Sequence, residues 1–365
     1  MKIGIDGRSL QGEPRGGVGQ YTHHLLCALF ELDQDNEYVV WYNGTGRIAA
    51  PDFSQYKNVR VVRTRWPNKM LNAAMKVTGY RLPVAEADIF FLPNPNFIAL
   101  PAGVKLVTVA HDLSFEHFPE FFSWKSRLWH KAVNPRALFC RADHLIAVSE
   151  HTKNDVVETY GIAPEKVTVV YPGVGQGLGI NTETYHLKPD PYILYFGALE
   201  PRKNIQGIIE AYERLKPREA LIIAGLSTSY VKHIRKRIAQ SKLRARMVLK
   251  ENPTEEEKDA LYRGATIFVY PSFYEGFGFP PLEAMASGVP VVASSASAVP
   301  EICGNAALLV SPWKVDEIKE GMRVLLEDEA LRARYIEAGR LRVQEFSWQK
   351  CARQTLDIFN RSGSM

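Results

Sequence analysis

Two carboxylates, Glu275 and Glu283, stand eight residues apart in the segment 270–292, YPSFYEGFGFPPLEAMASGVPVV. A carboxylate can accept hydrogen bonds from two hydroxyls of a sugar or a ribose. Both glutamates could be ordinary solvated charges, but their neighbours are mostly apolar. These neighbours are Phe273, Tyr274 and Phe277 around the first glutamate and Leu282 and Met285 around the second. We therefore interpret the pair as ligand-binding groups.

The elements around this segment place both glutamates at the edge of a sheet. The apolar run 265–270 predicts a buried strand, 281–286 predicts a short helix, and 289–293 predicts a second strand. The loop and the helix thus follow the carboxyl end of a strand, where open α/β sheets bind ligands. Gly276 and Gly278 in this loop let backbone N–H groups approach a ligand closely.

The segment resembles the E-x7-E signature of the retaining glycosyltransferases of family 4, which have the GT-B fold, and the resemblance extends over nearly the whole chain. It implies that Glu283 holds the ribose hydroxyls of a nucleotide sugar. It also implies that Glu275 holds a hydroxyl of the donor sugar, as a catalytic residue. We assign donor binding as well to the residues near and between them, Gly276, Phe277, Gly278, Phe279 and Leu282.

Two cations, Arg202 and Lys203, lie in the sequence GALEPRKN between a strand predicted at 192–196 and a helix predicted at 205–215. Cations at a helix N-terminus can neutralise a diphosphate, although a basic pair on a surface is also common. The resemblance favours the diphosphate. One departure matters, because many relatives carry Arg directly after the first glycine, where this chain has Ala198.

A glycine-rich loop follows the first predicted strand, 3–6, and precedes a helix predicted at 21–32. Such a loop presents backbone N–H groups and a helix N-terminus to a phosphate or another anion, although many glycine clusters are only tight turns. In the resembled family this loop faces the diphosphate and the acceptor. Gly16 and Gly17 are therefore donor-binding candidates.

Two further candidates follow strands of the first half. His111 and Asp112 come after the strand predicted at 105–110, and the resemblance places His111 at the donor sugar as a catalytic residue. Asp112 either orients His111 or caps the chain locally. Ser149 follows a strand predicted at 145–148 and is a good N-cap for the next helix. The resemblance also places it near the diphosphate.

Length and composition indicate an ordinary globular protein of two domains, with 365 residues, 46% hydrophobic and 23% charged. Each half repeats strand, loop and helix, which predicts an α/β protein with two doubly wound Rossmann-like domains facing a cleft. We place the acceptor-binding domain at 1–174, the linker at 175–191 and the nucleotide-sugar domain at 192–346. By the resemblance, a helix within 347–365 crosses back to the first domain.

Several classes of protein are disfavoured. Four scattered cysteines without a CxxC pair argue against a zinc site or a disulfide framework and favour a reducing cytoplasm. No signal peptide is apparent, and no apolar run approaches the ~20 residues that span a bilayer. The net charge of +5 is modest and no nucleic-acid-binding module is visible, so we expect no nucleic-acid partner.

Two segments of the first half, 53–85 and 121–141, combine cations with aromatic residues and contain no acidic residue. Such a composition suits the surface of an anionic membrane, which would place the protein peripherally at the inner face of the cytoplasmic membrane. Solvated helix faces with core aromatics explain these segments equally well.

We predict a retaining transferase that moves a sugar from a nucleotide diphosphate sugar to a glycan or a polyprenyl-linked acceptor. The run FPPLEAMASGVPVV resembles bacterial enzymes of surface polysaccharide assembly, many of which use GDP-mannose. GDP-mannose is thus the favoured donor and a UDP-sugar the alternative. No Asp-x-Asp motif lies in a suitable loop, so Arg202, Lys203 and backbone N–H groups would replace a metal. We expect no cofactor, and no residue is a convincing covalent nucleophile.

The sequence disfavours two functions of other classes. A nicotinamide-dependent oxidoreductase needs a G-x-G-x-x-G turn with an acidic residue ~20 positions on. The first loop offers Gly16, Gly17 and Gly19 but not that pattern. A catalytically silent sugar-binding protein is disfavoured by the presence of both glutamates, both cations and His111.

Overall fold

The computed structural model describes residues 1–12, 16–46, 49–78, 82, 84, 86–175 and 191–363. The chain divides into two compact units, which are described separately. The first unit comprises Met1–Gly173 and Ser347–Met365, and the second comprises Val174–Phe346. Residues 176–190, nearly all of the predicted linker, lie outside the described residues.

The described residues of the first unit form a parallel sheet of seven strands. These are β1 (Lys2–Asp6), β2 (Glu37–Asn43), β3 (Val59–Thr64), β4 (Ile89–Leu92), β5 (Lys105–Ala110), β6 (His144–Ala147) and β7 (Val167–Val169). Their order is β3-β2-β1-β4-β5-β6-β7, so the order reverses between β1 and β4. All four residues of β4 are buried, because helices and loops cover both faces of a parallel sheet.

Helices connect these strands: α1 (Gly17–Leu32), α2 (Asn68–Val77), α3 (Ser114–His117), α4 (Trp124–Val133), α5 (Pro135–Arg141) and α6 (Glu150–Tyr160). The structure corrects the predicted start of α1, which begins at residue 17 and not 21, with Gly16 as its N-cap. The glycines of the first loop therefore form the first turn of the helix.

The second unit repeats the arrangement with six strands among its described residues. These are β8 (Tyr192–Phe196), β9 (Ala220–Gly225), β10 (Met247–Glu251), β11 (Ile267–Tyr270), β12 (Val291–Ser294) and β13 (Ala307–Val310). Their order is β10-β9-β8-β11-β12-β13, and all the pairs are parallel. The prediction of two doubly wound α/β domains with parallel sheets is thus confirmed.

The helices of the second unit are α7 (Ile205–Leu215), α8 (Val231–Ala239), α9 (Glu255–Gly264), α10 (Phe279–Ala286), α11 (Val299–Cys303), α12 (Val315–Glu327) and α13 (Glu329–Val343). The family resemblance also implies a strand at 299–302. That expectation is wrong, because these residues form α11. Pro300 fits the first turn of a helix, where its missing N–H costs nothing. Thr254 and Glu257 form a capping box that starts α9.

The last helix, α14 (Trp348–Gly363), belongs to the first unit and packs against α1. Trp348 packs edge-on against Tyr21 of α1, and Phe359 packs edge-on against Phe91 of β4. Within the described residues, every helix is too short or too polar to cross a membrane.

Candidate functional site

The second sheet reverses its strand order between β8 and β11, which are neighbours. At such a point the loops that follow the two strands separate and leave a crevice, which is where open α/β sheets bind ligands. The loop after β8 forms a short 3-10 helix, Pro201–Lys203, that carries Arg202 and Lys203. The loop after β11 carries Glu275. The strand order therefore brings these three residues together.

Glu275 is 5% exposed, and four donors surround its carboxylate. Oε1 accepts from Lys203 Nζ at 2.5 Å, Tyr270 Oη at 2.8 Å and Ser272 Oγ at 2.5 Å, and Oε2 accepts from Arg202 Nη1 at 3.0 Å. Burial by itself raises the pKa of this carboxyl, but the charges of Lys203 and Arg202 outweigh it and lower the pKa to about 2. Glu275 is therefore ionised at neutral pH.

The two cations of this cluster are held by protein carboxylates. Burial and the charge of Arg202 lower the pKa of Lys203, although Glu275 opposes the shift. Lys203 Nζ also donates to Tyr270 Oη at 2.9 Å. Arg202 Nε donates to Glu200 Oε2 at 3.1 Å. The sequence predicted two cations available to a diphosphate, whereas the described structure pairs both of them with Glu275.

Glu283, the second carboxylate of the pair, lies on α10 and is held from α9. Its Oε1 accepts from Lys258 Nζ at 2.7 Å, and its Oε2 accepts from Tyr262 Oη at 2.8 Å. Residues 258 and 262 are four positions apart and so share one face of the helix. Burial lowers the pKa of Lys258, but Glu283, together with the nearby charges of Glu255 and Asp259, outweighs burial and raises the pKa. Both oxygens of Glu283 are thereby fixed in position.

The residues near and between the glutamates serve mainly the local structure. Gly278 is the N-cap of α10 with φ +107°, a conformation that residues with a Cβ rarely adopt. Phe277 is buried edge-on against Phe279, with ring centres 5.0 Å apart, and Leu282 is fully buried. Gly276 is also buried. In this structure the side chains of Phe277 and Leu282 belong to the core.

In the first unit, His111 follows β5 and its Nε2 lies 2.7 Å from the carbonyl oxygen of Pro93. A carbonyl only accepts, so Nε2 carries a proton. Burial lowers the pKa of His111 despite this contact and the nearby Asp112. The ring is therefore neutral and offers Nδ1 as an acceptor. Asp112 Oδ1 accepts from both N and Oγ of Ser114, at 2.9 Å and 2.6 Å, which favours the local capping role.

Ser149 and the two glycines lie at helix starts of the same unit. Ser149 is buried and its Oγ accepts from the backbone N–H of Thr152, which confirms its role as the N-cap of α6. Gly16 and Gly17 are exposed, and a Cβ added at either would have no neighbour within 4 Å in the described structure. Packing therefore does not require glycine at these positions.

The sequence did not indicate that Tyr270, Lys258 and Tyr262 hold the two glutamates. Tyr270 ends the apolar strand β11, where a buried aromatic residue is ordinary. The four-residue spacing of Lys258 and Tyr262 was visible, but their partner is more than 20 residues away in the sequence. Such a contact is specified only by the fold.

Comparison with known proteins assigns the family. Residues 15–175 match the family model described as Glycosyltransferase Family 4, and residues 182–342 match the one described as Glycosyl transferases group 1. The MMP alpha-(1->4)-mannosyltransferase of Mycolicibacterium hassiacum is 30% identical over 398 aligned positions that cover 95% of each chain. This chain belongs to glycosyltransferase family 4. The resemblance given by the E-x7-E segment is confirmed, and a nicotinamide-dependent oxidoreductase is not supported.

Two further comparisons agree with this assignment, one in sequence and one in fold. O-antigen chain mannosyltransferase B of Escherichia coli is 29% identical over 95% of this chain and 96% of its own length. The sucrose-phosphate synthase tll1590 from Thermosynechococcus elongatus matches with a TM-score of 0.76 at 19% identity, over 99% of this chain and 98% of its own. At that identity the likeness shows the fold, which is GT-B as predicted.

Replacing Glu275 by Gln leaves Lys203 and Arg202 without their shared counter-ion. Because breaking a buried ion pair leaves an uncompensated charge, we expect the free energy of unfolding at pH 7 to fall by about 3–5 kcal/mol. A carboxyl whose pKa is lowered on folding stabilises the protein above its ordinary pKa and loses that effect as the pH falls towards about 2. Denaturant unfolding should therefore show a difference that shrinks below pH 4.

The matched control is Glu210→Gln, which breaks the exposed ion pair with Arg214 on α7 and should cost less than about 1 kcal/mol. The double variant Glu275→Gln/Lys203→Met should recover part of the lost stability, since it removes the buried cation too. An equal loss in Glu275→Gln and Glu210→Gln, or a loss independent of pH, would contradict the buried ion cluster.

Proposed function

We propose that this glycosyltransferase moves a mannosyl group from GDP-mannose to a glycan or a lipid-linked glycan, with retention of the anomeric configuration. The observation that carries the proposal is the pair of glutamates at the switch point of the second sheet, each held by its own donors. The names of two relatives support mannose as the sugar. The guanine nucleotide rests on the sequence resemblance, and a UDP-sugar is the alternative.

In this proposal the two glutamates orient the donor. Among the described residues, three groups donate to Glu275 Oε1, whereas Arg202 is the one donor to Oε2. A carboxylate oxygen has two lone pairs, so Oε2 retains one for a hydroxyl of the donor sugar. Glu283 accepts the ribose hydroxyls, and Lys258 and Tyr262 keep its carboxylate from rotating away from them.

The leaving group is a nucleoside diphosphate, whose developing charge must be neutralised. Arg202, Lys203 and the N-terminus of α7 supply positive charge at the end of β8. The side chain of Arg202 is 17% exposed and that of Lys203 is 6% exposed. Arg202 is therefore the cation that a diphosphate meets first, and it must exchange a protein carboxylate for a phosphate. No metal is required in this scheme.

In the transfer step the bond from C1 of the sugar to the diphosphate oxygen breaks, and a bond from the acceptor oxygen to C1 forms on the same face. The acceptor proton passes to the departing phosphate oxygen. His111 contributes a neutral ring: its Nδ1 accepts a hydrogen bond from a hydroxyl of the donor sugar, while its Nε2 donates to the carbonyl oxygen of Pro93. Backbone N–H groups near Gly16, Gly17 and Ser149 contact the diphosphate.

A donor panel tests the proposed function. The protein is incubated with GDP-mannose, UDP-glucose, UDP-N-acetylglucosamine and UDP-galactose, and release of the nucleoside diphosphate is measured. We expect the fastest release from GDP-mannose, with the same rate in excess chelator, and an α-linked product by NMR from the α-linked donor. Faster release from a UDP-sugar would mean that the donor is that UDP-sugar and not GDP-mannose. A β-linked product would contradict retention. Activity that is lost in chelator and restored by a divalent cation would contradict the metal-free scheme.

The variant Glu275→Ala tests whether Glu275 takes part in this reaction. We expect the melting temperature to fall and, in protein that is still folded at the assay temperature, release to fall by about two orders of magnitude or more, since the variant removes the group that positions the donor sugar. The control Glu329→Ala changes an exposed glutamate at the start of α13 and should leave both turnover and the melting temperature unchanged. Full activity in folded Glu275→Ala protein would remove Glu275 from the mechanism.

Arg202→Ala and Lys203→Ala test recognition of the diphosphate. Losing one charge-assisted contact costs about 1.5–3 kcal/mol, so binding of GDP should weaken by roughly 10- to 150-fold. Binding of GMP, which lacks the distal phosphate, should change much less. Calorimetry of both nucleotides makes the comparison, with Arg214→Ala on the exposed side of α7 as the control. Equal losses for GDP and GMP would mean that these cations do not bind the distal phosphate.

A lipid-linked acceptor would bring the first unit to an anionic membrane, and α4 offers a surface for this. Trp124 is 67% exposed and Leu128 is 59% exposed, one turn apart on the same face. Lys125, Arg127 and Lys131 are exposed beside them, and α4 contains no acidic residue. Exposed aromatic and aliphatic side chains flanked by cations suit a membrane surface.

The first basic segment supports docking less well. Phe53 is buried in the core, 5.3 Å from the ring of Phe30, and Arg63 Nη2 donates to the carbonyl oxygen of Gly44 at 3.0 Å. Within the described residues of segment 53–85, these contacts indicate that the aromatic residue belongs to the core and that the cation stabilises the local structure. We therefore assign the membrane contact to α4.

Co-sedimentation with vesicles tests this contact. We expect binding to anionic but not neutral vesicles, weakened by salt. Each cation near an anionic surface adds about 1 kcal/mol, so Lys125→Glu/Lys131→Glu should weaken binding by at least roughly 30-fold. The control Lys232→Glu/Lys236→Glu makes the same change of charge on α8 of the second unit and should have little effect. If the protein does not bind anionic vesicles at low salt, the membrane contact is wrong and a water-soluble acceptor becomes the better hypothesis.

A further inference from the structure

One buried amide joins three loops at the carboxyl edge of the second sheet. Asn204 lies in the loop after β8 and is buried. Its Nδ2 donates to the carbonyl oxygen of Pro271 at 3.2 Å, in the loop after β11, and to that of Pro312 at 2.6 Å, in the loop after β13. We propose that Asn204 is a positioning residue, which sets Arg202 against Glu275 and so determines how strongly the distal phosphate of a nucleoside diphosphate is bound. This inference rests on the proposed function.

The contacts of this amide fix its orientation. Oδ1 of Asn204 accepts from the backbone N–H of Gly207 at 3.2 Å, so the side chain is also the N-cap of α7. A backbone N–H only donates and a carbonyl only accepts, so each partner requires the end of the amide that it meets. Both hydrogens of Nδ2 are used on the two carbonyl oxygens. The amide therefore has a partner for its oxygen and for each of its hydrogens.

The backbone at Asn204 is also specialised. Its φ of +56° lies in the left-handed region, which asparagine and glycine adopt more readily than other residues. This conformation ends the short 3-10 helix Pro201–Lys203, and α7 starts at the next residue. The cations Arg202 and Lys203 thus stand immediately before a residue that is anchored through both its backbone conformation and its side chain.

Gly207 leaves the space that this amide occupies. It lies in the first turn of α7, where alanine is ordinarily the better helix former. A Cβ added there would lie 2.5 Å from Oδ1 of Asn204, which is closer than van der Waals contact allows. The amide would have to move to make room for it. Asn204 and Gly207 are therefore matched, and changing either one disturbs the amide.

The stretch that follows Pro271 makes several contacts with Arg202. The N–H of Phe273 donates to the carbonyl oxygen of Arg202 at 2.9 Å. Arg202 Nη1 donates to the carbonyl oxygen of Tyr274 and to Glu275 Oε2, both at 3.0 Å. A shift of this stretch relative to the loop after β8 therefore moves the guanidinium and its counter-ion apart. The bond from the buried amide to the carbonyl oxygen of Pro271 opposes such a shift.

Trp313 reports on the contact with the third loop. It follows Pro312 directly, is exposed, and packs against Phe273 with ring centres 5.9 Å apart. Loss of the bond to the carbonyl oxygen of Pro312 releases the loop after β13 from the loop after β8, so the environment of the indole changes. The arrangement of the loops can therefore be followed without any ligand.

A competing account is that Asn204 acts only as a helix cap. Asn134 of the first unit provides the comparison, since its φ is +54° and its Oδ1 accepts from the N–H of Ala137 at 3.2 Å at the start of α5. It thus has the same backbone conformation and the same kind of cap. Asn134→Gly removes that cap without changing the three loops of the second unit, which makes it the matched control.

Calorimetry with GDP and GMP, and with UDP and UMP, tests the inference. We expect Asn204→Gly, which keeps the left-handed backbone, to weaken binding of both diphosphates about tenfold, because the contact of Arg202 with the distal phosphate is impaired. Both monophosphates should bind nearly as before. Gly207→Ala should cause the same selective loss to a smaller extent, and it carries the test if Asn204→Gly does not fold. Asn134→Gly should change neither affinity.

The Arg202→Ala background shows whether Asn204 acts through Arg202. Changes at independent sites add, whereas changes that act through one group do not. In Arg202→Ala protein, the further change Asn204→Gly should weaken binding of GDP by less than about twofold. A further loss as large as in the unaltered protein would mean that Asn204 affects binding by another route, and it would overturn the positioning role.

Labelling with fluorotryptophan makes the loop contacts visible by fluorine NMR. The resonance of Trp313, assigned by its absence from Trp313→Phe protein, should shift in Asn204→Gly and Gly207→Ala proteins. It should stay in place in Asn134→Gly protein. An unmoved resonance in folded Asn204→Gly protein, or an unchanged ratio of the affinities for GDP and GMP, would overturn the inference.

Failure of this inference is distinguishable from failure of the proposed function. If the unaltered protein releases nucleoside diphosphate from GDP-mannose but folded Asn204→Gly keeps its preference for diphosphates, the transferase stands and the positioning role is wrong. If the unaltered protein uses no nucleotide sugar but binds diphosphates more tightly than monophosphates, and Asn204→Gly removes that preference, the positioning role stands and the proposed function is wrong. Equal binding of diphosphates and monophosphates by the unaltered protein would overturn the positioning role.

Discussion

The buried charge of Glu275 is the constraint on which the second unit depends. A carboxylate removed from water is tolerated only when cations and hydrogen-bond donors surround it. Its cationic partners, Arg202 and Lys203, are more than 70 residues away in the sequence. Only the neighbouring positions of β8 and β11 bring these loops together. The ion cluster thus requires the strand order, and it fixes two loops at the point where the order reverses.

Much of the fold could be predicted because its signals are local. The bounds of β8 and α7 agree with those predicted, since each is a clear apolar or periodic run bounded by turn or loop residues. Strand β4 was not predicted, because its four apolar residues, which precede Pro93, are too few to show a hydrophobic periodicity. The strand expected at the position of α11 came from the family resemblance, and Pro300 was compatible with a helix start. Short apolar runs are assigned by their tertiary neighbours.

The sequence singled out the residues that the structure brings together, but it did not show how they pair. Residue types and spacing singled out Glu275, Arg202 and Lys203, and the sequence suggested a carboxylate for the sugar and two free cations for the diphosphate. The structure instead joins all three in one cluster. Such a pairing depends on distances between loops that local sequence does not encode. Tyr270 was hidden for a related reason, since its hydroxyl acts at the end of an otherwise ordinary buried strand.

The pairing changes how the donor is recognised in the proposed function. With Glu200 and Glu275 as partners, the two cations are compensated before a ligand arrives, so they do not form an open anion trap. A diphosphate binds by replacing contacts that already exist, and its net gain is the difference between phosphate and carboxylate partners. A monophosphate that does not reach Arg202 gains nothing from this exchange. Compensation therefore favours the intact nucleotide sugar over other small anions, and the same carboxylate that restrains the cations is left adjacent to the sugar it is proposed to hold.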